Sequence, residues 1–214
     1  NCVDPDVWPE PLRNEGEKVR IGLIGSVAIN DDYKAFEPVI KHLSEREDVQ
    51  LVVFALPSKD KSTEQVVQDV YKKGYDFWDK YNIEWHPFVG IDQYIDALNE
   101  MRIDIAVVPR ADDYFNRCKS NLKFLECSML EIPCVVRGFA SGDGPYQVNP
   151  DDSKYLDMVL DDDFDTWMAK IEPLIQNKEL RRQKGAAAHT YVEENYSIGN
   201  HIHKWESAYK NLLS

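Results

Sequence analysis

Five short, almost uninterrupted apolar runs, each followed by a segment with helical spacing, restrict what this 214-residue chain can fold into. The runs cover residues 19–25, 49–56, 83–89, 103–108 and 133–136. A strand with one wet face alternates apolar and polar residues; most of these do not, so both of their faces are expected to be buried. Helical spacing follows at 31–47, where Phe36, Val39, Ile40 and Leu43 fall on one face, and at 62–80, 92–100 and 120–130. Pro38 places the regular part of the first helix from about Glu37, and Gly74 predicts a break in the second. Beyond residue 136 the texture changes to a loop at 138–150 and a short sixth strand at 156–160. Helices are then expected at 165–176, 178–194 and 197–213.

Strand and helix in alternation build a parallel sheet with helices on both faces. The predicted fold is therefore α/β: a Rossmann-like parallel sheet of about six strands, closed by a C-terminal helical segment. Ligands of such sheets sit beyond the carboxyl ends of the strands, where the strand order reverses. The loops after Gly25, Leu56, Val89, Val108 and Val136 then share one rim. Residues 1–18, with three prolines, read as an arm entering from another domain. Residues 19–196 form the domain and 197–214 its last helix.

The formal charge of −13 argues against nucleic acid as a partner, since phosphate binding needs clustered cations. The charge is uneven, with +2 over residues 110–123 and −6 over 151–165. An anionic ligand is drawn to the first region. No apolar stretch approaches the ~20 residues of a membrane span, and the first residues carry no secretion signal. The expected location is cytoplasmic, with membrane contact only through a longer protein. Cys2, Cys118, Cys127 and Cys134 form no CxxC pair and have no His at metal spacing, so no metal is expected. Asp112–Asp113 and Asp161–Asp163 match no calcium loop, and the triple Asp precedes a helix that it would stabilise.

The segment 103–136 reads strand, polar loop, helix, strand. A helix that starts after a strand's carboxyl end offers free N–H groups to an anion. Ser120 is the expected N-cap, with Asn121 opening the helix. Lys119, Lys123 and Glu126 then share one face. A carboxylate at Glu126 leans back toward the anion end and can accept from two vicinal hydroxyls, as on a ribose. The plain alternative is a surface Lys123–Glu126 pair.

The run from Asn116 to Val136 resembles the donor-binding segment of GT-B glycosyltransferases, in the group that uses nucleotide-activated sugars with retention of configuration. In that family a Glu is followed at eight residues by a second Glu, then by small residues, Gly-x-Pro and a buried strand. Glu126 stands at the second Glu, and Glu131-Ile132-Pro133 at Gly-x-Pro. Asn116, Lys119, Ser120 and Lys123 are similar to a subgroup concerned with surface polysaccharides. The resemblance implies that Glu126 holds the ribose. It implies that Gly25, Ser26, Lys34, Lys119, Ser120, Asn121 and Lys123 hold the diphosphate. Phe88 and Val89 would meet the base, and Asn116, Cys118 and Tyr146 would lie near the donor sugar. Cys118 occupies the place of the first Glu, so the resemblance does not carry a retaining outcome to this chain. Asn1, Val3 and Asp4 look like the family's hinge motif.

The implied activity is hexosyl transfer from a UDP- or GDP-linked sugar to a glycan or lipid-linked acceptor. No cofactor is implied. The implied partner is an acceptor-binding N-terminal domain, without which this half is expected to be inactive. There is no GxGxxG for a dinucleotide. His189, His201 and His203 have no nucleophile at hand. A degenerate, non-catalytic nucleotide-binding or interaction domain is the alternative. A receiver-like signalling domain finds only a loose match in Asp31–Asp32.

Overall fold

A computed structural model describes residues 1–24, 30–56 and 76–213. Its six strands are β1 (Val19–Ile24), β2 (Val49–Leu56), β3 (Ile83–Pro87), β4 (Ile105–Val108), β5 (Cys134–Arg137) and β6 (Asp157–Val159). They form one sheet in the order β3-β2-β1-β4-β5-β6, and every neighbouring pair is parallel. The chain moves outward from β1 to β3, then returns to lay β4 beside β1. The order reverses there, at the carboxyl ends of β1 and β4, which is where ligands of such sheets sit.

The described helices are α1 (Asn30–Ser44), α2 (Tyr94–Glu100), α3 (Tyr114–Arg117), α4 (Leu122–Met129), α5 (Phe164–Gln176), α6 (Lys178–Tyr196) and α7 (Ile198–Leu213). They split between two cores. On one face Phe36, Ile40 and Leu43 of α1 and Trp167 and Ile171 of α5 bury against Leu23, Val53 and Val107. On the other face Leu98 of α2, Phe124 and Leu125 of α4, and Val192 of α6 bury against Val52, Ala106 and Val136. Successive strand residues point to opposite faces, so continuous apolar runs are needed to fill both cores.

Three elements differ from the sequence expectation. Helix α1 runs unbroken through Pro38 instead of beginning near Glu37. Pro38 is exposed, and its missing N–H costs less than the four fully buried side chains around it contribute. The predicted helix at 120–130 begins later, at Leu122, and the loop before it contains the separate turn α3. Asp113 starts that turn by accepting the Asn116 N–H at 2.7 Å. The predicted helix at 62–80 and its break at Gly74 lie largely outside the described residues. Its end is helical at 76–78, where Trp78 meets Tyr33 edge-on with ring centres 4.9 Å apart.

The arm at 1–18 is pinned along its length. Val3 donates to Tyr196 O at 2.8 Å and accepts from Ile198 N at 2.7 Å, at the junction of α6 and α7. Leu12 N reaches Asn99 Oδ1 at 2.8 Å, and Asn14 Nδ2 reaches Asp104 Oδ2 at 2.6 Å.

The Arg20 guanidinium takes both oxygens of Glu84 at 2.8 and 2.6 Å, joining β1 to β3 across β2. Arg20 is the main reason the Glu84 carboxyl falls from 4.5 to about 2, with a smaller help from His86 against the opposing effect of burial. A lowered carboxyl pKa adds stability above its unfolded value and loses it as pH falls through the folded value. Stability is therefore expected to decline between about pH 4.5 and pH 2. Glu84→Gln should flatten that limb by up to about 1 kcal/mol, since the pair is partly exposed. Denaturant titrations at pH 6, 4 and 2.5, chosen to span roughly that range, check this.

Candidate functional site

Residues from four elements meet at the rim above β1 and β4. Asp32, in the first turn of α1, is buried at 3 % exposure. It accepts from Ala111 N and Asn116 Nδ2, both at 2.7 Å, and from Arg110 Nη1 at 3.3 Å. Arg110 follows β4 by two residues and is itself buried. Tyr146, from the loop after β5, is fully buried. Burial pushes its phenol up, and the nearby Arg110 charge opposes that rise. The Lys119 ammonium lies over the Phe115 ring, 4.5 Å from its centre. Burial lowers the Lys119 ammonium and Arg110 lowers it further, while Asp32 and Asp113 hold it up.

A second group stands on the outward side of α4. Lys123 Nζ, Tyr94 Oη and Glu126 Oε2 form a closed triangle with all three edges 2.8 Å. Tyr94 donates to the carboxylate and accepts from the ammonium. Its ring stacks on Phe54 at 5.5 Å, so the sheet holds it in place. Burial raises the Tyr94 phenol, and the Glu126 charge adds to the rise. Both polar partners use Oε2, and among the described residues no hydrogen bond is made to Oε1. The Lys123–Glu126 pair does form, but at 21 % and 12 % side-chain exposure it is not the open surface pair of the plain alternative.

The remaining residues singled out in the sequence scatter around this rim. Lys34 is exposed on α1. Gly25 and Ser26 lie outside the described residues. Ser120 is exposed and is not the cap: Asn121 holds the N-cap position, and its side chain turns away to Asp152 Oδ2 at 2.8 Å. Lys119 sits before the helix and not on the face of Lys123 and Glu126, because the helix begins three residues after it. Asn116 is buried, Cys118 ends α3 with an exposed thiol, and Tyr146 packs beneath Arg110. Phe88 projects into solvent at 70 % exposure just after β3, and Val89 packs, partly buried, against the same core as Tyr94.

Four residues received no site role from the sequence: Arg110, counted only in the positive stretch at 110–123; Asp32, weighed only as half of a receiver-like acidic pair; and Tyr94 and Asp152. Arg110 had a readable signal, a cation immediately after a buried strand at the expected switch. Tyr94 had none, since it reaches Glu126 only through the packing of α2 on α4. Glu131, at the place of the family's glycine, has φ of +53°. That is the left-handed conformation glycine adopts most easily; the Glu131 carboxylate pairs with Arg13. Among the described residues no group of His, Cys, Asp and Glu is arranged to hold a metal ion, and no helix is long and apolar enough to cross a membrane.

No family model matches the sequence, and no curated protein matches it. Solved structures match its fold. Sucrose-phosphate synthase from Thermosynechococcus elongatus is similar with a TM-score of 0.65 and 12 % identity, over 99 % of this chain and 51 % of that one. S. aureus TarM, as the G117R mutant in complex with Fondaparinux, alpha-GlcNAc-glycerol and UDP, is similar with a TM-score of 0.65 and 16 % identity, over 97 % of this chain and 38 % of that one. The C-terminal domain of the glycosyl transferase group 1 family protein LpcC from Francisella tularensis is similar with a TM-score of 0.57 and 15 % identity, over 92 % of this chain and 99 % of that domain. The chain thus shares its fold with domains of these proteins, and it spans about half or less of the two longer ones.

Proposed function

We propose that this domain is the donor-binding half of a glycosyltransferase that takes a nucleoside-diphosphate sugar. The observation that carries the reading is Glu126: a carboxylate one turn into α4, steadied by Lys123 and Tyr94, with one oxygen uncommitted at the carboxyl rim. Such a group suits the two hydroxyls of a ribose. The start of α4, with Lys119 beside it, lies where a diphosphate can take helix N–H groups and positive charge. The same cations would stabilise the charge that develops on the departing diphosphate. The UDP held by TarM is consistent with a nucleotide in this fold.

The exposed stripe on α7 supports a larger whole. Ile202, Trp205, Tyr209 and Leu212 fall on one helical face at 55, 58, 62 and 81 % exposure. We place the acceptor-binding domain against it. On this reading the isolated chain binds nucleotide and transfers no sugar. The Cys118 thiol, at the place of a sugar-binding carboxylate, favours the second reading of a degenerate domain that binds without catalysis. Rejoining the partner domain and assaying donor-sugar hydrolysis separates the two: a degenerate domain stays silent.

Calorimetric titration with UDP, GDP and ADP tests the proposal. Saturable heat with at least one is expected, and no heat with any at millimolar concentration would contradict it. Tyr94→Phe keeps the stack on Phe54 but loses the O–H that orients Glu126. It is expected to weaken that nucleotide about three- to tenfold, the worth of one ordinary hydrogen bond.

A further inference from the structure

At the opposite edge of the sheet from the rim, the amino ends of β4 and β5 border a cleft of about 390 Å³. Small-ligand pockets run from roughly 300 to 1,000 Å³. The arm contributes Arg13 to this cleft, the turns before β4 and β5 contribute Asp104 and Glu131, and the start of α6 contributes Lys178, Arg181 and Arg182. The last three stand at i, i+3 and i+4, so they are neighbours on the helix surface. Gly185, one turn further on, lets α6 close on the Glu131 carbonyl, where any added Cβ would collide. That approach sets the three cations of α6 beside the turn.

The charges in the cleft do not cancel. Arg13 is matched by Glu131. Asp104 Oδ2 accepts from Asn14 Nδ2 at 2.6 Å and from Arg20 N at 2.9 Å, and Arg181 Nε lies 3.7 Å from Oδ1. Arg181 is only 9 % exposed. Its Nη1 donates to the Leu174 and Ile175 carbonyls at 2.6 and 3.0 Å, and among the described residues its Nη2 makes no hydrogen bond. Lys178 and Arg182 are exposed, and neither has an ion-pair partner among the described residues. Two positive charges are left over here, in a chain whose formal charge is −13. A concave wall of one sign concentrates the opposite ion. A fixed guanidinium flanked by two further cations suits the oxygens of a phosphate group.

We propose that this cleft is a second anion site, built by Lys178, Arg181 and Arg182 for the phosphate group of a small ligand. It shares no residue with the nucleotide rim and lies at the other end of the strands from it.

Amide NMR of the chain, titrated with inorganic phosphate at constant ionic strength, tests this. Millimolar phosphate is expected to shift the amides of Glu131, Lys178 and Arg182 along one saturating curve. The double variant Lys178→Gln, Arg182→Gln changes only exposed side chains and should keep the wild-type melting temperature. It is expected to weaken phosphate at these amides at least about tenfold, as for loss of charged hydrogen bonds. Co-sedimentation with phosphatidylglycerol vesicles, against phosphatidylcholine vesicles, separates the two sources of a phosphate group. Vesicle binding that the double variant loses assigns a lipid headgroup, and phosphate shifts without vesicle binding assign a soluble ligand. Absence of cleft shifts with phosphate together with absence of vesicle binding overturns the site. Wild-type phosphate and vesicle affinities in the double variant overturn it as well.

Discussion

Asp152→Ala is expected to lower the unfolding free energy by about 3–5 kcal/mol, because two phenol donors lose a buried carboxylate acceptor. For a domain of this size that corresponds to a fall in melting temperature of roughly 10 °C. The carboxylate is fully buried, and it has no Lys or Arg partner among the described residues. Neutral donors satisfy it instead. Tyr191 Oη and Tyr196 Oη each reach Oδ1 at 2.8 Å, and Asn149 Nδ2 reaches it at 3.0 Å. Asn121 Nδ2 reaches Oδ2 at 2.8 Å. Removing the acceptor strands the two phenol donors, at about 1–3 kcal/mol for each unpaired group, while Asn149 and Asn121 keep the tyrosine hydroxyl oxygens as acceptors. Tyr191→Phe removes a single bond and should cost only about 1 kcal/mol. Paired thermal and urea denaturation of the two variants checks the contrast. Near-equal losses would show that Asp152 is not the hub. The hub matters to the site because it fastens the start of α4, through Asn121, to the end of α6. The arm joins α6 at the same place, where Val3 pairs with Tyr196.

Gly185→Ala is the second large effect expected, and its sign runs against helix propensity. In the middle of an ordinary helix this change stabilises by up to about 1 kcal/mol. Here an added Cβ would stand 1.9 Å from the carbonyl oxygen of Glu131 and 2.7 Å from its carbonyl carbon. Both obstacles are backbone, so α6 and the turn between α4 and β5 would have to separate. Overpacking of this kind costs about 3 kcal/mol, which outweighs the propensity gain. The neighbouring Ala187→Gly, on the exposed side of α6, should cost no more than about 1 kcal/mol. Urea midpoints order the three proteins, with wild type highest and Gly185→Ala lowest. A Gly185→Ala protein at or above wild-type stability would mean that α6 does not approach the turn so closely.

The parallel sheet was legible because burial on both faces leaves a plain mark, continuous apolar runs between helical segments. The same logic pointed to the carboxyl-end rim; Glu126 and Lys119 were singled out there by helical spacing, and Asn116 by the family resemblance. What stayed hidden was tertiary. Asp32 and Arg110 lie 78 residues apart and meet only because β4 returns beside β1. Tyr94 gains its role from the contact of α2 with α4, and Asp152 from four donors spread between residues 121 and 196. Local capping also misled. Ser120 has the right chemistry for a cap, yet α3 ends just before it and shifts the start of α4 by two residues. Pro38 misled in the opposite sense, since a helix anchored by deeply buried side chains tolerates an exposed proline.

The account turns on one acidic side chain and a sugar ring. Calorimetry should therefore compare the bound nucleoside diphosphate with its 2′,3′-dideoxy analogue, on the wild-type chain and on Glu126→Ala. The wild-type chain should prefer the ribose form by about tenfold or more, because two hydroxyls donate to a carboxylate. Glu126→Ala should bind both forms equally and weakly. A Glu126→Ala chain that keeps wild-type affinity and still prefers ribose would contradict the account.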